Sequence, residues 1–197
     1  LSDDINMLAE VHKGKSEMLE LIKKQVIHGR TATGAPAVQS PSSDLGTIGG
    51  VLTMVAKHWH SNPIASSDPL GRLTPGSRLT GRSVTIDARE VLMLSGYFES
   101  GKDLHSGDNR KLTMDIDYIS RSGKRPFVLA ADFNNKPEEW QQNPIPWLTR
   151  WDASIITGDN CDYTCRHGDR AADEGSLIDY FIVSNSLVAG KICRKVV

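Results

Sequence analysis

The chain has 197 residues, 39% of them hydrophobic and 24% charged, the make-up of one soluble globular domain with a sizeable core. A net charge of −1 excludes attraction to nucleic acid by bulk charge, so any such binding must come from local basic patches. No apolar run is long enough to span a bilayer, no secretory leader opens the chain, and three late cysteines (Cys161, Cys165, Cys193) do not make a disulfide framework. An intracellular protein, nuclear or cytoplasmic and without a membrane partner, is the expectation.

Residues 4–12 read as a short buried strand ending on an acid, Glu10. A helix follows, with Ser16 as N-cap, Met18, Leu21, Ile22 and Val26 on one apolar face, and Gly29 as its stop. From Thr31 to Thr47 the Gly, Ala, Ser, Thr and Pro content predicts an irregular connection, and Gly49-Gly50 then lead into a strand over 51–55. His58 and His60 read as surface histidines. Residues 61–82 read as a long loop whose Arg72, Arg78 and Arg82, with no acid between Asp68 and Asp87, form a candidate contact for a phosphate backbone. Strands over 83–87 and 90–95 flank a hairpin turn at Ala88-Arg89, and the second arm runs into Tyr97. A helix over 110–119 presents Leu112, Ile116 and Ile119 to the core, with Asp115 and Asp117 on its solvated side.

The next stretch organises the chain. Phe127 to Ala131 is an uninterrupted apolar run, short enough for a strand buried on both faces, and it ends abruptly on Asp132, with Asn134 and Pro137 in the turn beyond. Pro137-Glu138-Glu139 opens a short helix, and Trp147 and Trp151 pack the following segment onto the sheet. Cys161, Cys165 and His167 superficially resemble zinc spacing but lack a fourth ligand. Residues 176–184 form a second apolar strand with one charge, Asp179, near its N-terminal end. Antiparallel neighbours of this kind would bring Asp132 and Asp179 out at the same end of the sheet. Buried acids need a partner, hydrogen bonds or a metal, so two converging acids point to a site.

Ala131-Asp132-Phe133-Asn134 with Pro137, then Ser176-x-Ile178-Asp179-Tyr180-Phe181, resemble two motifs of the endonuclease/exonuclease/phosphatase family, and Ala9-Glu10-Val11-His12 is similar to a third. That family includes AP endonucleases, deoxyribonuclease I, inositol-polyphosphate phosphatases and the endonuclease domains of non-LTR retroelements, and the wording here is nearest the retroelement type. Ala131 stands where the family usually has glycine. The resemblance spans roughly Ile5 to Ser186 and implies an α/β (α+β) four-layer sandwich, two mixed β-sheets face to face with helices outside. It also implies a single domain over 1–197, incomplete at both ends: an asparagine-bearing strand would lie before Leu1 and a histidine-bearing one beyond Val197. A fragment so truncated is expected to be marginally stable and nearly inactive.

In site terms the resemblance implies Glu10 as ligand of Mg²⁺ (or Mn²⁺) with Asp132 beside it. Asp132 would position or deprotonate the attacking water, Asn134 would orient that water or hold a phosphate oxygen, Tyr97 would donate to the phosphate, and Asp179 would support the centre. Glu10, Asp132, Asn134 and Asp179 are expected to share one cleft. The function implied is a divalent-metal-dependent phosphodiester hydrolase, an endonuclease acting on nucleic acid, with a larger polyprotein context such as a reverse transcriptase. The alternatives are a phosphomonoesterase of sugar or lipid phosphates, and a degenerate domain that binds nucleic acid or a partner without catalysis.

Overall fold

The computed structural model describes residues 4–40, 46–64, 78–121, 123–158, 163–166 and 175–189. In chain order the elements are β1 (Ile5–Leu8), α1 (Lys15–Ile27), β2 (Arg30–Ala35), β3 (Val38–Gln39), β4 (Thr47–Ile48), β5 (Val51–Ala56), β6 (Ser61–Pro63), β7 (Leu79–Ile86) and β8 (Arg89–Tyr97). They continue with α2 (Gly107–Ile119), β9 (Phe127–Asp132), α3 (Pro137–Gln142), α4 (Trp147–Arg150), β10 (Ala153–Ile156), β11 (Cys165–Arg166), β12 (Gly175–Ser176), β13 (Asp179–Ser184) and α5 (Asn185–Ala189).

Two sheets carry the fold. β1-β5-β2 form an antiparallel sheet of three strands, and β10-β13-β9-β8-β7-β6 form a mixed sheet of six. Among the described residues only β8 and β9 run parallel, because α2 carries the chain back across the sheet between them. Side-chain alternation along the strands sorts the apolar residues into three interlayer cores. Met18, Leu52 and Met54 lie between α1 and the small sheet. Val55, Val91, Met93, Val128 and Val183 lie between the sheets. Leu92, Leu94, Phe127, Leu129 and Ile182 meet Leu112, Ile116, Trp140 and Trp151 from the helices beyond the large sheet. The result is the four-layer α/β sandwich. Two buried hydroxyls join its sheets: Thr53 and Ser95 lie 2.8 Å apart, and Ser95 also donates to the Leu52 carbonyl at 3.0 Å.

Several local expectations need correction. Residues 31–47 are not irregular throughout: β2 pairs along the whole of β5, and β3 and β4 form a small hairpin. The strand was hidden by its small side chains, which suit a place under α1, where a Cβ on Gly34 would stand 2.7 Å from Met18 Sδ. β1 is half-buried and stops at Leu8, two residues before the acid. The cap of α1 is Gly14, whose N–H is taken by Glu17 Oε2 at 3.1 Å, and Val26 is 46% exposed, off the buried face. Residues 61–82 include β6 and the start of β7, paired in one sheet. The β7–β8 turn falls on Asp87-Ala88, both at positive φ, one residue earlier than predicted. Asp117 is not merely solvated: it takes Arg150 Nε and Nη2 at 2.7 and 2.8 Å and Trp151 Nε1 at 3.1 Å. Cys161, His167 and Cys193 lie outside the described residues. Among the described residues no helix is long and apolar enough to cross a membrane.

Candidate active site

Register builds the site. Tyr97 on β8 is the Cα partner of Asp132 on β9, and Asp132 is the partner of Asp179 on β13. The three side chains therefore form one row across adjacent strands. By alternation the row shares a face with Met93, Val128 and Val183, so it looks toward the small sheet at the mouth of the inter-sheet core. Glu10 reaches the row from that other sheet, close enough for its charge to act on both Asp132 and Tyr97.

Hydrogen bonds hold the Glu10 loop in place against backbone strain. Glu10 and His12 both have positive φ, 50° and 51°, a conformation that costs a non-glycine residue on the order of 1 kcal/mol or more. Val11 and His12 donate to the Gly50 and Gly49 carbonyls at 2.9 and 3.2 Å, and the His12 ring nitrogen Nδ1 lies 2.9 Å from the Thr47 carbonyl. Gly50, at φ +83°, sits where glycine is favoured, and a Cβ there would be tight, 3.1 Å from Ala37 N and 3.3 Å from His12 N. The small sheet thus aims its acid through a glycine turn.

On the large sheet the tip of β9 is bound on both sides. Phe98 N–H donates to the Asp132 carbonyl at 2.9 Å and Phe133 N–H to that of Ile178 at 2.8 Å. Asn134, at φ 49°, donates its backbone N–H to Asp132 Oδ1 and its Nδ2 to the Phe98 carbonyl, each at 3.0 Å. Beneath lies an aromatic platform, with Phe133 stacked on Tyr180 at 4.0 Å between centroids and on Phe98 at 5.1 Å. Trp140 Nε1 donates to the Tyr180 hydroxyl, which donates to the Asn135 carbonyl. Asp132 is therefore presented by a rigid element.

Asp132 is only 7% exposed, whereas Glu10 and Asp179 are exposed, so only one of the converging acids is buried. Burial, then the charges of Asp179 and Glu10, push its carboxyl up to about 7, against a smaller opposing pull from Asn134. The Tyr97 phenol is pushed up to about 12, by burial first and then by Glu10 and Asp132, which keeps it a hydrogen-bond donor at neutral pH.

The arginines separate. Arg72 lies outside the described residues. Arg82 is not available to a substrate: it is buried in β7, and Nε, Nη1 and Nη2 reach Ser61 Oγ, Thr33 Oγ1 and the Ser61 carbonyl at 3.2, 2.8 and 3.0 Å. Arg78 is buried too, but beside Tyr97. One contributor escaped the sequence reading. Thr164 Oγ1 accepts the Ile178 and Asp179 N–H groups at 3.0 and 2.9 Å and so sets where β13 begins. Nothing local marks that threonine, since its partners lie 14 and 15 residues away.

The donor set is oxygen throughout and concentrates negative charge around a buried carboxylate, which fits a hard divalent cation. Among the described residues no three His, Cys, Asp or Glu side chains form a chelating group. Mg²⁺ does not require one, because it takes one or two carboxylates and keeps several waters.

No protein-family model and no curated protein sequence matches the chain. Solved structures do. The chain is similar to the endonuclease domain of TRAS1, a telomere-specific non-LTR retrotransposon, with TM-score 0.56 and 16% identity over 95% of this chain and 88% of that one. It is similar to the AP endonuclease LMAP of Leishmania major, with TM-score 0.67 and 14% identity over 94% and 71%. A third likeness is the 3′ phosphatase NExo from Neisseria, bound to a product DNA hairpin, with TM-score 0.60 and 17% identity over 94% and 78%. The chain has the deoxyribonuclease I-like fold that the endonuclease/exonuclease/phosphatase structures share.

Proposed function

We propose that the protein is a divalent-metal-dependent phosphoester hydrolase, and more narrowly an endonuclease that cleaves the phosphodiester backbone of nucleic acid. The observation that carries this reading is the Tyr97–Asp132–Asp179 row facing Glu10, with the buried Asp132 carboxyl poised near neutrality. Glu10, with Asp132, would hold Mg²⁺ or Mn²⁺, and the bound cation supplies charge neutralisation to the phosphoryl oxygens. Asp132 takes the proton of the attacking water, a role suited to a base that titrates close to the working pH. Asn134 keeps that carboxylate oriented through its N–H contact with Oδ1. Tyr97 donates to a phosphoryl oxygen, and Asp179, pinned by Thr164, keeps the charge density of the row high.

Two neighbours bear on the substrate: a retrotransposon endonuclease domain and a phosphatase holding a DNA product. They support nucleic acid as the substrate, and the first lends weight to a retroelement type. The test is nicking of supercoiled plasmid by the 197-residue chain, beside hydrolysis of a simple phosphomonoester. Nicking is expected with Mg²⁺ or Mn²⁺ and not in chelator, and Asp132→Asn should lower the rate on the order of 10²-fold or more. Full nicking in chelator, or an unaffected variant, would rule the mechanism out. Monoester hydrolysis without nicking would favour a phosphomonoesterase.

A further inference from the structure

Asn109 is a buried amide for which the chemistry above has no use. It sits in the first turn of α2, is 0% exposed, and directs its side chain at the segment that follows Tyr97. Oδ1 accepts the Glu99 N–H at 2.7 Å, and Nδ2 donates to the Glu99 and Lys102 carbonyls at 3.2 and 3.0 Å. An amide taken out of water has to be matched in this way, and here the matches fall on Glu99 and Lys102. The same segment is held from the other side. Asn134 Nδ2 donates to the Phe98 carbonyl at 3.0 Å, and Asn135 Nδ2 to the Lys102 carbonyl at 3.4 Å. The Phe98 carbonyl and the Glu99 N–H belong to one planar peptide unit and point in opposite directions. A single rigid plane therefore joins Asn109 to Asn134, whose own N–H fixes Asp132 Oδ1 at 3.0 Å.

We propose that Asn109 is a positioning residue of this centre: it locks the Phe98–Glu99 peptide so that its carbonyl faces Asn134, and Asn134 in turn keeps the Asp132 carboxylate aimed. This rests on the phosphoester reading above. Without the Asn109 side chain the peptide loses the partner of its N–H and is free to rotate. A rotated plane withdraws its carbonyl from Asn134 Nδ2. Asn134, at a φ of 49°, then has less to hold it in a conformation uncommon outside glycine. Hydrogen bonds at the two ends of one peptide also polarise each other, so the Asn109 contact strengthens the Asn134 one. The chain turns between the two carbonyls that Asn109 holds through Gly101, at φ +70°.

The test combines plasmid nicking by the 197-residue chain with amide hydrogen exchange followed by NMR. Asn109→Ala should lower kcat on the order of 10²-fold, the cost of a small misplacement at a reacting centre, with KM little changed. Its Asn134 N–H should exchange about tenfold faster, the weight of one buried hydrogen bond. Because the two asparagines act in series, the Asn109→Ala, Asn134→Ala double variant should be no slower than Asn134→Ala alone. Gly81→Ala, destabilised on β7 by a methyl against Met93 and Ile64, should keep its kcat, which separates lost stability from lost aim. The assignment is overturned by wild-type kcat or wild-type Asn134 exchange in Asn109→Ala, by additive losses in the double variant, or by Gly81→Ala slowed as much as Asn109→Ala. If Asn109→Ala does not fold, Gly101→Ala decides by the same readouts, since its methyl meets nothing within 4 Å and strains this segment alone. Should the wild type cleave nothing, the nuclease reading falls, while faster Asn134 exchange in Asn109→Ala still supports the coupling. Nicking that Asn109→Ala retains in full sinks the positioning role and leaves the nuclease.

Discussion

At the residue scale, burial of Asp132 makes stability depend on pH. A free aspartate titrates near about 3.9, whereas the folded protein holds this carboxyl up to about 7. Between those values the folded state keeps a proton that the unfolded state has released, so the contribution of Asp132 to stability falls as pH rises through this window and is worst above 7. Asp132→Asn retains Oδ1 as acceptor for the Asn134 N–H and removes the charge. The metal-free variant should therefore be more stable than wild type at pH 8, by roughly 1–2 kcal/mol or several degrees in Tm, with the gap closing toward pH 4. Parallel melting curves from pH 4 to 8 check this, and a variant less stable than wild type at pH 8 contradicts it. Metal should relieve the same strain. Because Asp132 must lose its proton to serve a cation, Mg²⁺ or Mn²⁺ affinity should rise between pH 6 and 8, and calorimetry should record proton release. Tyr97→Phe keeps the ring under Arg78 and deletes only the donor, so it should slow nicking by about 10²-fold, as loss of one oxyanion donor does, with little change in Tm.

At the element scale, close packing sets how strands accept change. Gly81 in β7 and Gly34 in β2 both leave no room for a methyl group, yet their neighbours differ. A Cβ on Gly81 would stand 2.6 Å from the Met93 backbone oxygen and 2.9 Å from Ile64 Cδ1, atoms tied to the ladder and the core. The one on Gly34 would first meet the sulfur of Met18, the end of a flexible side chain that can turn away. Gly81→Ala should therefore lose about 1–3 kcal/mol by overpacking, and Gly34→Ala distinctly less. Urea denaturation of both variants checks the order; the reverse order would mean that β2, not β7, is the rigid partner. The tip of β9 holds Asn134 at a positive φ because its hydrogen bonds tie it to Asp132 and to the Phe98 carbonyl, while Asn135 beside it is bound to Phe133 and Tyr180 of the aromatic platform.

At the scale of the whole molecule, the centre exists only if the two sheets keep their relation. Glu10 sits on the loop that follows β1 of the small sheet, while Tyr97, Asp132 and Asp179 belong to the large one. The Thr53–Ser95 pair bridges the sheets beside the valines and Met93 of the layer between them, and Arg82–Thr33 and Thr31–Ser61 contacts join them as well. Ser95→Ala would strand the Thr53 hydroxyl there and should cost about 1–3 kcal/mol, whereas Thr53→Val with Ser95→Ala should cost less than the sum of the single changes. A double-mutant cycle in urea measures the coupling, and strict additivity would show that the bridge contributes nothing.

The elements that the sequence alone determined are those whose signal is local. Phe127–Ala131 is apolar without a break, so β9 and its terminal acid were legible, as were β5, β8, β13 and the buried face of α2. The three acidic motifs stand out because a carboxylate at the end of an apolar run is rare for reasons of solvation alone. Tertiary structure decided the rest. β2, Arg-Thr-Ala-Thr-Gly-Ala, has no strand signal of its own and owes its conformation to pairing with β5. The fates of Arg78 and Arg82 were indistinguishable in the chain, because whether a guanidinium finds three acceptors depends on Ser61 and Thr33, 21 and 49 residues away. The strand order that lines up Tyr97, Asp132 and Asp179, and the packing that turns Glu10 toward them, are pairings between distant segments, and a sequence read locally carries no term for the free energy of bringing such segments together.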